Sequence, residues 1–178
     1  QVGLFGAELL VEGPLSKKSG ASFLAMYRYS TIKIFSLMGI NLGTSAIPKY
    51  QDFAVKANIP FKKGGNLALW SMGGNSNIEI IVSEQGADEV DLYGENTKDQ
   101  RFGTGMIVSG ATYTKPVNEK SFIKSTLSLN LEQQKSNHDT ISRDSAFTVN
   151  GIDPYMAYDF VTKRLSNASS YNRKINKK

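Results

Sequence analysis

Between Ile123 and Glu132 the chain reads I-K-S-T-L-S-L-N-L-E, and the two parities separate. Ile123, Ser125, Leu127, Leu129 and Leu131 fall on one, and Lys124, Thr126, Ser128, Asn130 and Glu132 on the other. Strand side chains alternate between faces, so this stretch predicts a strand of about ten residues with one apolar and one ionic, hydroxylated face. A soluble sandwich would turn the apolar face to a core, whereas an outer-membrane barrel would turn it to lipid and the polar face to a wet lumen. The way such strands are joined decides between the two.

Six more stretches carry a strand pattern. Residues 2 to 12 set Phe5, Ala7, Leu9 and Val11 against Gly6, Glu8, Leu10 and Glu12, and Gly13-Pro14 is expected to end the strand. Ala21 to Ser30 sets Phe23, Ala25, Tyr27 and Tyr29 against Ser22, Leu24, Met26 and Arg28. Tyr50 to Pro60 alternates Phe53, Val55, Ala57 and Ile59 with Asp52, Ala54, Lys56 and Asn58. Asn66 to Gly73 has no clear face for Leu67, Leu69, Trp70 and Met72. Arg101 to Thr114 carries Gly103, Gly105 and Gly110, as a bent or closely approached strand does. Tyr155 to about Tyr171 completes the set.

The expected connections alternate in length. Gly13 to Gly20, Phe61 to Gly65 and Lys115 to Lys120 are short, while Thr31 to Lys49, Gly74 to Gln100 and Gln133 to Pro154 are long. In the first long connection, Ile32, Ile34, Phe35 and Leu37 are compatible with a short helix stopped by Gly39. An up-and-down meander puts the short turns on one rim and the long loops on the other, as outer-membrane barrels do. A sandwich has no reason to sort loop lengths by end. The expected fold is therefore all-β: a transmembrane antiparallel up-and-down barrel. Single-chain bacterial barrels have an even number of strands from about eight upward. About seven strands therefore read as a piece of a larger barrel, residues 1–178 being a fragment of one outer-membrane domain whose plug and remaining strands lie elsewhere.

Side-chain chemistry adds sidedness. Lys17, Lys18, Lys62, Lys63, Lys115, Lys120, Arg173, Lys174, Lys177 and Lys178 gather at the short-turn rim, where anionic headgroups are a natural partner. Phe23, Phe61, Tyr113, Phe122 and Tyr171 lie near that rim, and Tyr27, Tyr29, Tyr50, Phe53, Tyr155 and Tyr158 near the other, as two aromatic girdles would. The formal charge of +5 thus matters less than its placement. Composition, 40% hydrophobic and 21% charged, is ordinary for a globular chain and decides nothing. With no cysteine there is neither disulfide nor thiolate metal site. No apolar run of about 20 residues is present, which excludes a spanning helix but not spanning strands.

Several strings resemble a known family. Gln1-Val2-Gly3, E-G-P-L-S-K-K-S-G-A-S-F-L-A-M-Y-R-Y-S from Glu12 to Ser30, G-I-N-L-G-T from Gly39 to Thr44, P-K-Y-Q-D-F from Pro48 to Phe53 and D-L-Y-G-E from Asp91 to Glu95 are similar to the barrel region of TonB-dependent outer-membrane receptors. The kind resembled carries a carboxypeptidase-regulatory-like domain ahead of its plug. The likeness covers most of residues 1 to 135 and fades through the third long connection. It implies a barrel of about 22 strands around a plug, in the bacterial outer membrane, taking up a scarce ligand with energy passed through TonB. The implied partners are the lipid bilayer, the plug and the remaining strands, TonB by way of the plug, and a surface lipoprotein or other envelope protein. Nothing here matches the plug or the TonB-contacting segment, and the ligand is not specified.

No catalytic centre or cofactor site is expected, and the chain reads as no enzyme. The lone His138, beside Asp139, has no identifiable partner and reads as a solvated loop residue. Glu84, Asp88, Glu89, Asp91, Glu95 and Asp99 supply oxygen ligands without the spacing of a calcium loop. Asp88, Glu89 and Asp91 are weak loop candidates, and no dedicated metal site is expected. Gly103-Thr104-Gly105 lacks the third glycine and helix of a dinucleotide fingerprint, and Asn167-Ala168-Ser169 fits a glycosylation pattern inside a strand. Tyr27-Arg28-Tyr29 and Tyr171-Asn172-Arg173 interleave cations with aromatics, but the girdle explains them better than nucleic acid. By parity the lumen-facing candidates are Glu8, Arg28, Asp52, Lys56, Asn58, Lys124, Thr126, Ser128, Asn130 and Glu132. Their plainest role is a hydrated wall. The rival readings are a barrel serving as a structural or interaction component of an envelope assembly, and a soluble all-β binding module whose apolar parity packs on a second sheet.

Overall fold

The computed structural model describes residues 6–30, 48–86 and 95–175. They form one all-β sheet of seven antiparallel strands in sequence order. The strands are β1 (Gly6–Ser16), β2 (Ala21–Ser30), β3 (Lys49–Pro60), β4 (Asn66–Ile80), β5 (Lys98–Asn118), β6 (Ser121–Arg143) and β7 (Val149–Arg173). Each pairs only with its chain neighbours, so the sheet is an open meander and the outer sides of β1 and β7 are edges. A single 3-10 turn, Val82–Glu84, is the only helical element among the described residues.

Strand lengths climb along the chain, from 11, 10 and 12 residues in β1 to β3 through 15 and 21 to 23 and 25 in β6 and β7. Most of the added length lies at the end away from the short turns, although β5 also runs four residues past Thr114, the partner of Asn66, at the short-turn end. The near end keeps tight turns. Gly20 (φ 70°) donates to the Ser16 carbonyl at 3.0 Å, and Gly64 (φ 79°) donates to Phe61 at 3.0 Å, positive φ values that a Cβ would strain. Between β5 and β6 only Glu119 and Lys120 remain, with Lys120 N–H donating to Asn118 Oδ1 at 2.9 Å.

Four expectations are corrected. Gly13-Pro14 does not end β1, because Pro14 pairs with Ser22 and the register shifts between Pro14 and Ser16. Pro116, expected in a turn, pairs inside β5 beside another shift, and Pro154 lies beside a third. Bulges accept a residue that cannot donate to the ladder. Secondly, β4 does not stop at Gly73 but continues to Ile80. Thirdly, β5 spans Lys98–Asn118, longer at both ends than expected. The largest correction is the third long loop. Residues 133–143 pair with 149–161 as a ribbon, which leaves only a five-residue turn whose Asp144 Oδ1 accepts from Ala146 and Thr148 N–H at 2.9 and 2.8 Å. Strict alternation of loop length thus fails at the third repeat, although the extra chain still lies at that end. The expected helix near Ile32 to Leu37 and the start of the first strand at residues 2–5 lie outside the described residues.

Candidate functional site

Register turns the strand parities into two continuous faces, since residues directly opposite across an antiparallel pair share a side. One row runs Glu8, Arg28, Asp52, Gly74, Met106, Glu132, Thr162. Lys56, Asn58, Lys124, Thr126, Ser128 and Asn130 stand on the same side by parity and pairing, so all ten lumen-facing candidates share one face. We call it the Arg28 face. It is held by side-chain bonds: Arg28 pairs with Asp52 at 2.8 Å and lies over the Tyr50 ring. Asn66 Nδ2 donates to Asn58 Oδ1 at 2.6 Å, and the Trp70 indole donates to Thr112, which is 3.0 Å from Thr126. Trp70, which had no clear face in the sequence, lies on this one over Gly110, where a Cβ would come within 2.5 Å of the ring.

The opposite, Leu127 face is mainly apolar through three successive rows, interrupted by Ser71 and Ser109 in the second and, on β7, by Asn167 and Lys163 at the ends of the first and third. Phe23, Ala57, Leu69, Ala111 and Leu127 form the first. Val11, Ala25, Val55, Ser71, Ser109, Leu129 and Leu165 form the next, and Leu9, Tyr27, Phe53, Gly73, Ile107 and Leu131 the third. Nothing among the described residues covers them: Ile123, Leu127 and Leu131 are 42, 52 and 37% exposed. The buried hydrophobic residues of the described chain are only Ala21, Ala68, Val82 and Ile141. A two-layer domain would bury its large apolar side chains instead. The small residues leave a shallow trough of about 700 Å³ lined by Phe23, Val55, Leu69, Leu127 and Leu165.

The apolar face ends abruptly. One row beyond Leu131 the positions are Gln51, Asn75, Gly105 and Gln133 from β3 to β6, flanked by Ala7 and Tyr29 on one side and Val161 on the other, and the next are Lys49, Asn77, Gly103, Lys135 and Asp159. Gln133 donates to Asp159 at 2.8 Å, and Tyr27 donates its hydroxyl to Gln51 at 2.7 Å. Past this boundary the faces exchange character. Ile78, Phe102, Tyr158 and Phe160 now stand on the Arg28 face, with Phe102 edge-on to Tyr158 at 6.2 Å and Tyr158 stacked on Phe160 at 5.0 Å. His138 belongs to this cluster, 6.0 Å from the Phe102 ring, and is a strand residue rather than a loop residue.

A polar lock closes the far end. Asp99, 1% exposed, accepts from Ser83 N–H at 2.9 Å and from Ser83 Oγ at 2.7 Å. Arg101 bridges Asp99 and Asp139 at 3.6 and 2.7 Å, and Arg143 donates to the carbonyls of Val82 and Gln85 at 2.6 and 3.3 Å. The Lys98 ammonium, bonded to Glu95 and set over the Tyr155 ring at 4.5 Å, has its pKa raised chiefly by that hydrogen bond. Apart from Lys98 with Glu95, these residues could not be found by parity, because their partners are distant in sequence. Asp88, Glu89 and Asp91 lie outside the described residues, and among those described no three acids or histidines gather to hold a metal ion. The aromatic girdles separate less cleanly than expected: Phe122, Tyr50 and Tyr158 stand on the Arg28 face, whereas Phe23, Tyr113 and Tyr171 stand on the other.

No family model, curated protein or solved structure matches the chain. The physical layout of the sheet therefore carries the functional reading.

Proposed function

We propose that this chain is a segment of a TonB-dependent outer-membrane receptor barrel, contributing wall strands to energy-coupled uptake of a scarce ligand. The observation that carries the reading is the Leu127 face: an apolar band with no covering layer, bounded by a polar row at one end and basic turns at the other. Eight residue steps from Ile123 to Leu131 rise about 26 Å along the strand, or about 20 Å of height at a barrel tilt of about 35–45°, on the scale of the roughly 25 Å apolar belt of such barrels. Lipid chains satisfy that band and fill its trough. The Arg28 face, with its ion pairs and hydroxyls, then lines a hydrated lumen against the plug. The open edges of β1 and β7 take the remaining strands, because an edge in hydrocarbon leaves backbone groups without partners. Catalysis is not required of this segment, and TonB acts through the plug.

The soluble-module reading is the poorer fit, since it needs a second layer over Leu127. Single cysteines in the full-length protein in cells test the difference, this segment having none of its own. Leu127→Cys is expected to resist an aqueous maleimide and accept a lipid-phase label, while Ser128→Cys does the reverse. Equal aqueous labelling of both would sink the barrel. Correct labelling without TonB-dependent uptake would leave a barrel that serves as a structural or interaction component of the envelope.

A further inference from the structure

The two ends of the sheet hold their cations differently. At the long end Lys49 pairs with Glu79 at 3.3 Å, Lys98 with Glu95 at 2.7 Å, and Arg101 with Asp139 at 2.7 Å. At the short-turn end Lys17, Lys18, Lys62, Lys63, Lys115, Lys120, Arg173 and Lys174 are all exposed, and none has an ion pair among the described residues. Glu119 is the one carboxylate in these turns. The topology brings three separate turns and the end of β7 to one rim, and the Lys174 N–H bond to the Lys120 carbonyl at 2.8 Å ties the last of them in place. Gathering like charge without a counter-charge is unfavourable in the isolated chain. It becomes favourable beside a surface of fixed anions, where each basic residue adds to the attraction and the effect fades within a Debye length.

The neighbours of these cations indicate what kind of anion. Phe61 and Tyr113 meet edge to face at 6.1 Å just inside the rim, and Tyr171 is 59% exposed opposite Ile123. Phe23 and Leu67 begin the uncovered apolar band directly above. Cation, aromatic ring and apolar side chain thus follow one another in the order of headgroup phosphate, interface and acyl chain. We propose that this rim is a collar for anionic phospholipid headgroups, which holds the short-turn end at the level of the lipid phosphates. The inference rests on the barrel reading above and adds a lipid preference to it.

The test uses the full-length protein reconstituted in vesicles of phosphatidylcholine with phosphatidylglycerol, with retained lipid read by native mass spectrometry. The wild type is expected to retain phosphatidylglycerol about tenfold or more over phosphatidylcholine. In K17Q/K18Q/K62Q/K63Q the preference falls to near parity, and it returns in the matching Lys→Arg variant. Lys135→Gln, beyond the polar row, leaves it unchanged. Raising salt to about 1 M, where the Debye length is near 3 Å, weakens it in the wild type. An unchanged preference in the glutamine variant overturns the collar while leaving the barrel standing. Loss of the bound lipid to millimolar inorganic phosphate overturns it in favour of a soluble anion site. Failure of the wild type to enter vesicles overturns both readings.

Discussion

The two halves of β6 belong to one strand and distribute their polar and apolar side chains differently. From Ile123 to Leu131 the Leu127 face is aliphatic and exposed apart from the part-covered Ser125, while Thr126, Ser128, Asn130 and Glu132 on the other face are part-covered. From Gln133 to Asp139 the same face carries Gln133, Lys135, Asn137 and Asp139, and the aromatic residues have moved to the other side. Pairing is continuous through the change except for one shift at His138. A strand in uniform water has no cause to exchange faces part-way along. The exchange fits a wall that leaves hydrocarbon for water, so that its outer surface turns polar and its apolar contacts move inward. The strand length agrees, since 23 residues is about twice the 9 to 11 needed to cross a bilayer.

The most damaging attack on that comparison places the same charge on both halves of one face. In the full-length protein, Leu127→Arg is expected to cost about 2–4 kcal/mol in denaturant unfolding from vesicles, as an arginine near the bilayer midplane does. Gln133→Arg, three rows farther along, is expected to cost about 1 kcal/mol or less. Equal costs would remove the difference between the halves and the lipid assignment with it.

A second, smaller effect concerns whether the far half is held independently. Asp99 is buried with its carboxylate committed to Ser83 and Arg101. Asp99→Ala leaves the Ser83 donors unsatisfied, at an expected local cost of about 1–3 kcal/mol. Hydrogen exchange is the measurement: residues 81–86 lose protection, while amides of the Ile123–Leu131 stretch keep theirs. Loss of protection in both would mean that the halves open as one unit.

How legible each half was in the sequence follows from the same contrast. β2 was bounded correctly at Ala21 and Ser30, because Phe23, Ala25, Tyr27 and Tyr29 keep a strict period between turn residues. The ten polar candidates fell on one face for the same reason. In Gln133-Gln134-Lys135-Ser136-Asn137 both parities are polar, so periodicity is silent and the stretch looks like a loop. Its strand character comes from cross-strand partners such as Phe102 and Tyr158, opposite Ser136, which parity within β6 cannot show. Gly73-Gly74-Asn75 reads as a turn, yet it continues β4: a Cβ on Gly73 would stand 2.7 Å from the Met106 carbonyl oxygen, and one on Gly74 2.6 Å from that of Gln51. There glycine marks close backbone approach and not a reversal. The lock was hidden by distance, since Arg143 reaches a carbonyl 61 positions away.

The smallest effect tests why the far half is polar at all. Lys49 and Glu79 form an ion pair at 3.3 Å with side chains 52 and 51% exposed, one and two rows beyond Asn75 and Gln133. If such pairs stabilised the ribbon, polarity there would be a structural requirement; if they do not, it reflects contact with water. Exposed pairs at this accessibility contribute about 0.2–1 kcal/mol, further reduced by salt. A double-mutant cycle of Lys49→Ala and Glu79→Ala, read by denaturant unfolding of the full-length protein, is expected to give a coupling of about 0.5 kcal/mol or less. A coupling several times larger would make the ion pairs a reason for the change of face and weaken the argument that the solvent around β6 changes along its length.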